Sequence, residues 1–187
     1  LHLCHHNLET INKTTSTPTN KLLLEVCMAA KYEGNSINTH YPKHEQTNKD
    51  SQICTVLARS FADIGDIVRG KDLYRGNKKE NKQRDKLEKS LKTIFGNIYE
   101  ELKNGKTNGA QNYYEDKDTD KNYYKLREDW WYANRETVWK ALTCDARDNA
   151  KYFRQTCGKN DNWTGDKCRC AAGDVPTYFD YVPQFLR

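Results

Sequence analysis

The stretch SQICTVLARSFADIGDIVRG, running from Ser51 to Gly70, decides the fold class. Its apolar residues Ile53, Leu57, Phe61, Ile64 and Val68 recur at spacings of four and three, which places them on one face of an α-helix. Ser51 suits the cap at the start, and Gly70 suits the stop. The same period continues outward in both directions. Toward the N-terminus, Leu22, Leu23, Val26, Cys27 and Ala30 form a stripe over Leu22–Lys31 that Gly34 is expected to end, leaving 34–50 as a loop. Residues 1–20 are polar, rich in His and Thr, and read as irregular structure.

Toward the C-terminus, Leu87, Leu91, Ile94, Phe95, Ile98 and Leu102 share one face, with Lys82, Lys86, Lys89 and Lys92 largely off it. Asn104-Gly105 ends that helix, and residues 104–122 read as a polar loop. A fourth helix is expected from about Leu126 to Leu142, carrying Trp130, Trp131, Val138 and Leu142. A shorter amphipathic stretch follows, with Ala146, Ala150, Phe153 and Cys157 on one side, and then a loop over 158–176. Strand-like alternation is nearly absent. The fold class is therefore all-α, a disulfide-braced helical bundle with long loops.

Composition agrees with a modest core. Only 36% of the 187 residues are hydrophobic and 30% are charged, yet twelve Tyr, four Trp and five Phe supply the large apolar surfaces that a disordered chain lacks. No run approaches the ~18 apolar residues that a membrane-spanning helix needs. Seven cysteines without regular metal-ligand spacing point to an oxidising compartment and cross-links, each adding roughly 2–4 kcal/mol. The odd count leaves one thiol free or parted from a partner outside a chain whose ends look cut.

Enzyme chemistry finds no candidates. Cys4-His5-His6 near His2 lacks a second ligand pair, and Cys168-Arg169-Cys170 is too tight for a shared tetrahedral ion, so disulfides and solvated His are the reading and no metal or cofactor is expected. Asp63 with Asp66, and Glu100 with Glu101, read as solvated helix faces rather than acid/base pairs. No phosphate loop, dinucleotide fingerprint, nucleophile elbow or HExxH occurs.

Charge is more informative. Between Arg69 and Lys92 stand ten basic residues against four acidic ones, an excess of six, while the whole chain carries +5. One segment thus holds essentially all of the positive excess. Arg69, Lys71, Arg75, Lys78, Lys79, Lys82, Lys86 and Lys89 are the candidate glycan-binding residues, since such a field attracts sulfate or sialate groups. A solvated helix face without ligand is the plainer alternative. Nucleic acid does not fit the cysteines. The aromatic run Trp130-Trp131-Tyr132 with Trp139, and Tyr178, Phe179 and Tyr181, read as core. Asn12-Lys13-Thr14 and Asn162-Trp163-Thr164 are formal glycosylation sequons, used only in a host that modifies them.

Particular strings then carry a family likeness. CMAAKYEG (Cys27–Gly34), CTVLARSFADIGDIVRG (Cys54–Gly70), LREDWW (Leu126–Trp131), ANRETVWKALTC (Ala133–Cys144) and VPTYFDYVPQFLR (Val175–Arg187) stand in order. Together they resemble the alpha class of Duffy-binding-like domains in the variant erythrocyte membrane adhesins of Plasmodium falciparum. The resemblance implies an all-helical fold: 1–20 as the end of a first, irregular subdomain, 21–175 as the helical second, and 176–187 as the start of a truncated third. It implies a host-receptor-binding adhesion module on the surface of the infected erythrocyte, acting in cytoadherence or rosetting and subject to antigenic variation. The partners it implies are erythrocyte or endothelial receptors, among them heparan sulfate, blood-group glycans or complement receptor, besides host antibodies and neighbouring domains of the same adhesin. Four cysteines after the Asp63-Ile64-Gly65 motif resemble the subgroup not biased to rosetting. The alternative role is a structural spacer that varies antigenically and has no ligand of its own. For the bridges, the expectation is Cys27–Cys54, joining two helices, with two pairs among Cys144, Cys157, Cys168 and Cys170.

Overall fold

The computed structural model describes residues 18–49, 52–74, 76–104, 109–115 and 120–187. Ser51, Arg75 and the N-terminal His and Cys4 cluster lie outside them, as does most of the segment read as irregular. The α-helices are α1 (Pro18–Thr47), α2 (Ile53–Arg69), α3 (Lys78–Asn104), the single turn α4 (Ala110–Tyr113) and α5 (Tyr124–Leu142). Beyond α5 the described chain runs as turns, three short 3₁₀ turns and one isolated bridge. No helix among the described residues is long and apolar enough to cross a membrane. The all-α reading holds.

The described residues fall into two compact units. One comprises 26–65 and 134–187. Its buried residues include Phe61 and Trp139, which meet edge to face with centroids 5.2 Å apart. The other comprises 66–133 with the start of α1. There Leu87, Leu91, Ile94, Phe95 and Ile98 are buried along α3, and Phe95 packs edge-on to Trp130 at 6.0 Å. The three tryptophans 130, 131 and 139 are buried, as their spacing suggests, whereas Tyr132 is exposed.

Two helix boundaries depart from the sequence reading. Helix α1 does not stop at Gly34 but continues to Thr47, through Pro42. Gly34 is buried because α1 crosses the end of α5 there: a Cβ would overlap the carbonyl oxygen of Leu142 and lie 2.9 Å from its carbonyl carbon. Glycine marks a close approach here, not a helix end. The polar residues beyond it remain helical and bond back one turn, with Asn38 Nδ2 donating to the Gly34 carbonyl at 3.0 Å and Thr39 Oγ1 to that of Asn35 at 2.9 Å. Gly34→Ala is therefore expected to cost about 1–3 kcal/mol in urea unfolding, the range of an overpacked site. Unchanged stability would mean that the two helices do not touch at this point.

The stretch 146–157 is not a helix either. Cys168 N–H donates to the Ala150 carbonyl at 2.9 Å and Tyr152 N–H to Thr164 Oγ1 at 2.9 Å, so its polar backbone groups are satisfied by the following loop. Covalent ties fix this arrangement. Cys54 bridges Cys168 across a separation of 114 residues, and Cys157 bridges Cys170. The expected Cys27–Cys54 pair does not form, and among the described residues Cys27 and Cys144 carry no bridge. The reason is placement: Cys54 and Cys168 are both fully buried with Cα atoms 5.6 Å apart, and Trp139 Nε1 donates to the Cys168 carbonyl at 3.1 Å, drawing that loop onto the core. Arg169 adds to this by donating to the Lys140 carbonyl at 2.7 Å, which satisfies an orphan acceptor in the last turn of α5.

Candidate functional site

The start of α3 shows how the basic segment is built. Asn77 caps the helix, its Oδ1 accepting from the N–H groups of Lys79 and Glu80 at 3.0 Å each, while Glu80 Oε2 accepts from Asn77 N–H at 3.0 Å. This is a reciprocal capping box, and it commits Glu80 to the backbone. Glu88 is likewise committed, accepting both Nη groups of Arg127 at 2.7 and 2.9 Å. Asp72 is paired with Arg84, whose guanidinium also lies over the Tyr74 ring at 4.7 Å. Three of the four acids in the segment are thus consumed by internal contacts.

The same contacts divide the basic residues. Arg69 is no surface group: its side chain is 2% exposed and pairs with Asp66 and Glu128 at 3.0 Å each. Asp66, expected on a solvated face, is buried by that pairing. Lys71 is half exposed and bound to Glu128. Burial alone would raise the Glu128 carboxyl, but the hydrogen bonds from Lys71 and Arg69 outweigh it and hold the group below its ordinary value. A carboxyl lowered in this way stabilises the fold above its unfolded pKa and loses that contribution as the pH falls through the lowered value.

What remains is one face. Lys78, Lys82, Lys86 and Lys89 follow one another at spacings of four, four and three, with Lys79 beside them, opposite the buried Leu87, Leu91 and Ile94. All five are exposed, and none forms an ion pair among the described residues. Asp85 is the one acid of the segment left beside them. At 1.5 Å per residue the row from Lys78 to Lys89 is ~16 Å long. Its first members sit at the positive end of the helix dipole, which adds to the field. This face can hold an extended polyanion through separate lysine contacts. Of the eight candidate residues, the structure brings five together, turns Arg69 and Lys71 to internal pairing, and leaves Arg75 undescribed.

Sequence reading missed three arginine joints. Arg127, fully buried, donates from Nε to the Val68 carbonyl at 2.7 Å and from Nη2 to that of Ile67 at 3.1 Å, besides gripping Glu88. Arg69 is the second. Arg135 is the third, paired through two bonds of 2.8 Å with Asp180 and donating to the Thr177 carbonyl at 2.7 Å. Its guanidinium lies 5.3 to 5.6 Å from the rings of Phe61, Tyr178 and Tyr181. Tyr178 and Tyr181 cover this ion pair from outside and are themselves exposed, which corrects their reading as core. The only signal for these joints is the position of Arg127 beside Leu126 and of Arg135 four residues after the buried Trp131 and four before the buried Trp139.

Comparison with known proteins places this architecture. The family model described as the Duffy binding domain matches residues 1–187. The NTS-DBL1(alpha-1) domain of the Plasmodium falciparum membrane protein 1 (PfEMP1) of the varO strain is 44% identical, with a TM-score of 0.74 over 99% of this chain and 40% of that one. A PfEMP1 DBLbeta domain solved bound to ICAM-1 is 36% identical, with a TM-score of 0.63 over 99% and 40% of the two chains. A second DBLbeta domain, bound to human ICAM-1, is 28% identical, with a TM-score of 0.66 over 98% and 34%. The chain thus spans two fifths or less of the length of these structures. No curated protein matches it. Matched along its whole length by the family model, and sharing its helical fold with these adhesin domains, the chain belongs to the Duffy binding family, among the PfEMP1 Duffy-binding-like domains.

Proposed function

We propose that this domain is a host-receptor-binding adhesion module displayed on the infected erythrocyte, and that the lysine face of α3 takes sulfated or sialylated glycans. The observation that carries the glycan reading is the sorting of charge: Asp72, Glu80 and Glu88 are spent on internal partners, and five lysines on one face are not. The adhesive reading draws on relatives solved with ICAM-1 bound. The division into an end of a first subdomain (1–20), a helical second (21–175) and the start of a third (176–187) is part of the same proposal. Neighbouring domains and host antibodies are the remaining partners it implies.

Binding to immobilised heparin across a salt series tests it. Affinity should fall steeply as the screening length shrinks from about 10 Å at 0.1 M toward 3 Å at 1 M. Replacing Lys78, Lys79, Lys82, Lys86 and Lys89 with Gln removes five exposed pairs of about 0.2–1 kcal/mol each, so affinity should drop by roughly one to four orders of magnitude. The fold itself should hold, since surface changes of this kind stay within about 0.5 kcal/mol each. Salt-independent binding, or full affinity in the five-site variant, would sink the glycan surface. Absence of any binding to heparin or red cells by the intact chain would favour the spacer role.

A further inference from the structure

Besides His2, His5 and His6 the chain has two histidines, His40 and His44, and the function above uses neither. Both stand on the C-terminal third of α1, four residues apart, and both are exposed. Four residues is the spacing at which two imidazoles on one helical face reach a single zinc ion. His40 Nδ1 lies 2.8 Å from the Ser36 carbonyl, which can only accept, so Nδ1 carries the proton and Nε2 keeps its lone pair. A backbone carbonyl on the far nitrogen is also the usual outer partner of a metal-bound imidazole. His44 Nδ1 lies 3.3 Å from Asn48 Nδ2, a long contact that an ion can displace. Glu45 is turned to Arg147 at 3.6 Å, and Tyr41 is 5% exposed.

We infer that His40 and His44 chelate one divalent ion of the zinc, copper or nickel class, with water filling its remaining positions. Neutral imidazole suits these ions, whereas Mg²⁺ and Ca²⁺ prefer oxygen donors. His40 coordinates through Nε2. His44 coordinates by giving up its contact with Asn48, which is lost whichever ring nitrogen takes the ion. The chelate spans Pro42, and that residue has no N–H to return to the carbonyl four residues back. The helix therefore lacks one bond of its ladder at this point, and an ion held by both rings resists opening of the last turn of α1. The site binds and does not hydrolyse. Hydrolytic zinc helices carry a glutamate base directly after the first histidine, and the buried Tyr41 stands there instead. This site is separate from the lysine face of α3 and does not depend on the adhesive reading.

Titration of the intact, oxidised, untagged chain with Zn²⁺, read by the ring-proton NMR signals of its five histidines, tests the site. The His40 and His44 signals should shift together with one affinity, and excess Mg²⁺ or Ca²⁺ should leave them in place. His40→Ala and His44→Ala should each weaken binding at the remaining ring by at least about tenfold, since loss of an outer partner alone typically costs roughly 10–100-fold. His44→Ala/Glu45→His keeps the number of histidines but turns the second ring off the shared face, and should bind as weakly as His44→Ala. Amide exchange over 44–47 should slow by about tenfold when Zn²⁺ stands at about ten times its Kd. Single variants that keep the parent affinity overturn the inference. So do His40 and His44 signals unmoved by Zn²⁺ that already shifts His2, His5 and His6. Exchange over 44–47 that bound Zn²⁺ does not change overturns the clasp across Pro42.

Discussion

Asp180→Ala is expected to cost about 3–5 kcal/mol, because it strands the buried charge of Arg135. Two of that guanidinium's bonds end on Asp180, at 2.8 Å each, and a third holds the Thr177 carbonyl at 2.7 Å. The Asp180 side chain is fully buried and that of Arg135 nearly so. With the carboxylate gone, the cation keeps only one carbonyl and the faces of Phe61, Tyr178 and Tyr181, which together replace little of its hydration. Asp180→Asn keeps the shape and loses the charge, and should cost less. The double variant Arg135→Met/Asp180→Leu should recover most of the loss, since apolar replacements for a buried ion pair are often close to neutral. Urea unfolding of the parent, Arg135→Met, Asp180→Leu and the double variant gives the coupling directly. If Asp180→Ala stays within about 0.5 kcal/mol of the parent, as a surface change would, the segment from Thr177 to Asp180 is not anchored to α5 as described.

Arg127→Ala is the second large effect, and it falls on the other unit. Arg127 touches the end of α2 through the Ile67 and Val68 carbonyls and touches α3 through Glu88. Removing it strands the Val68 carbonyl, takes one of two donors from the Ile67 carbonyl, which keeps Gly70 N–H at 3.2 Å, and leaves the space of a fully buried side chain empty, a loss of about 3–5 kcal/mol in all. Lysine should not rescue it, because a single ammonium cannot reach acceptors in two directions as the planar guanidinium does. The neighbouring Gly70 is fitted to this joint. It closes α2 at φ 72°, with Lys71 N–H donating to the Asp66 carbonyl at 2.8 Å, and a Cβ there would lie 2.9 Å from the Arg127 guanidinium carbon. Hydrogen exchange at the amides of the last turn of α2 should accelerate in Arg127→Ala more than elsewhere. Unchanged protection there would show that the arginine does not hold that helix end.

These joints also explain what the sequence revealed and what it did not. Helices α2, α3 and α5 were legible because their apolar residues repeat at helical spacing, and that pattern needs no knowledge of partners. Helix α1 was cut short at Gly34 because a glycine facing the Leu142 backbone and a glycine ending a helix look the same in one dimension. The stretch 146–157 carries a helical pattern but is held open by the 162–170 loop and its bridges, and those contacts are set by tertiary placement. The excess of positive charge was plain from counting. Which bases are free was not, because Arg69 and Lys71 are answered by Glu128 at separations of 59 and 57 residues, and Glu88 by Arg127 at 39. Pairing of that range leaves no local signature, so of the eight candidate residues Arg69 and Lys71 turn inward, five share the α3 face, and Arg75 lies outside the described residues.

Lysine acetylation footprinting with and without a heparin oligosaccharide reads out which lysines the glycan covers. Lys78, Lys79, Lys82, Lys86 and Lys89 should be protected together, while Lys31 and Lys43, exposed on α1, should react as before. Protection spread evenly over all exposed lysines, or confined to residues away from α3, would contradict the account.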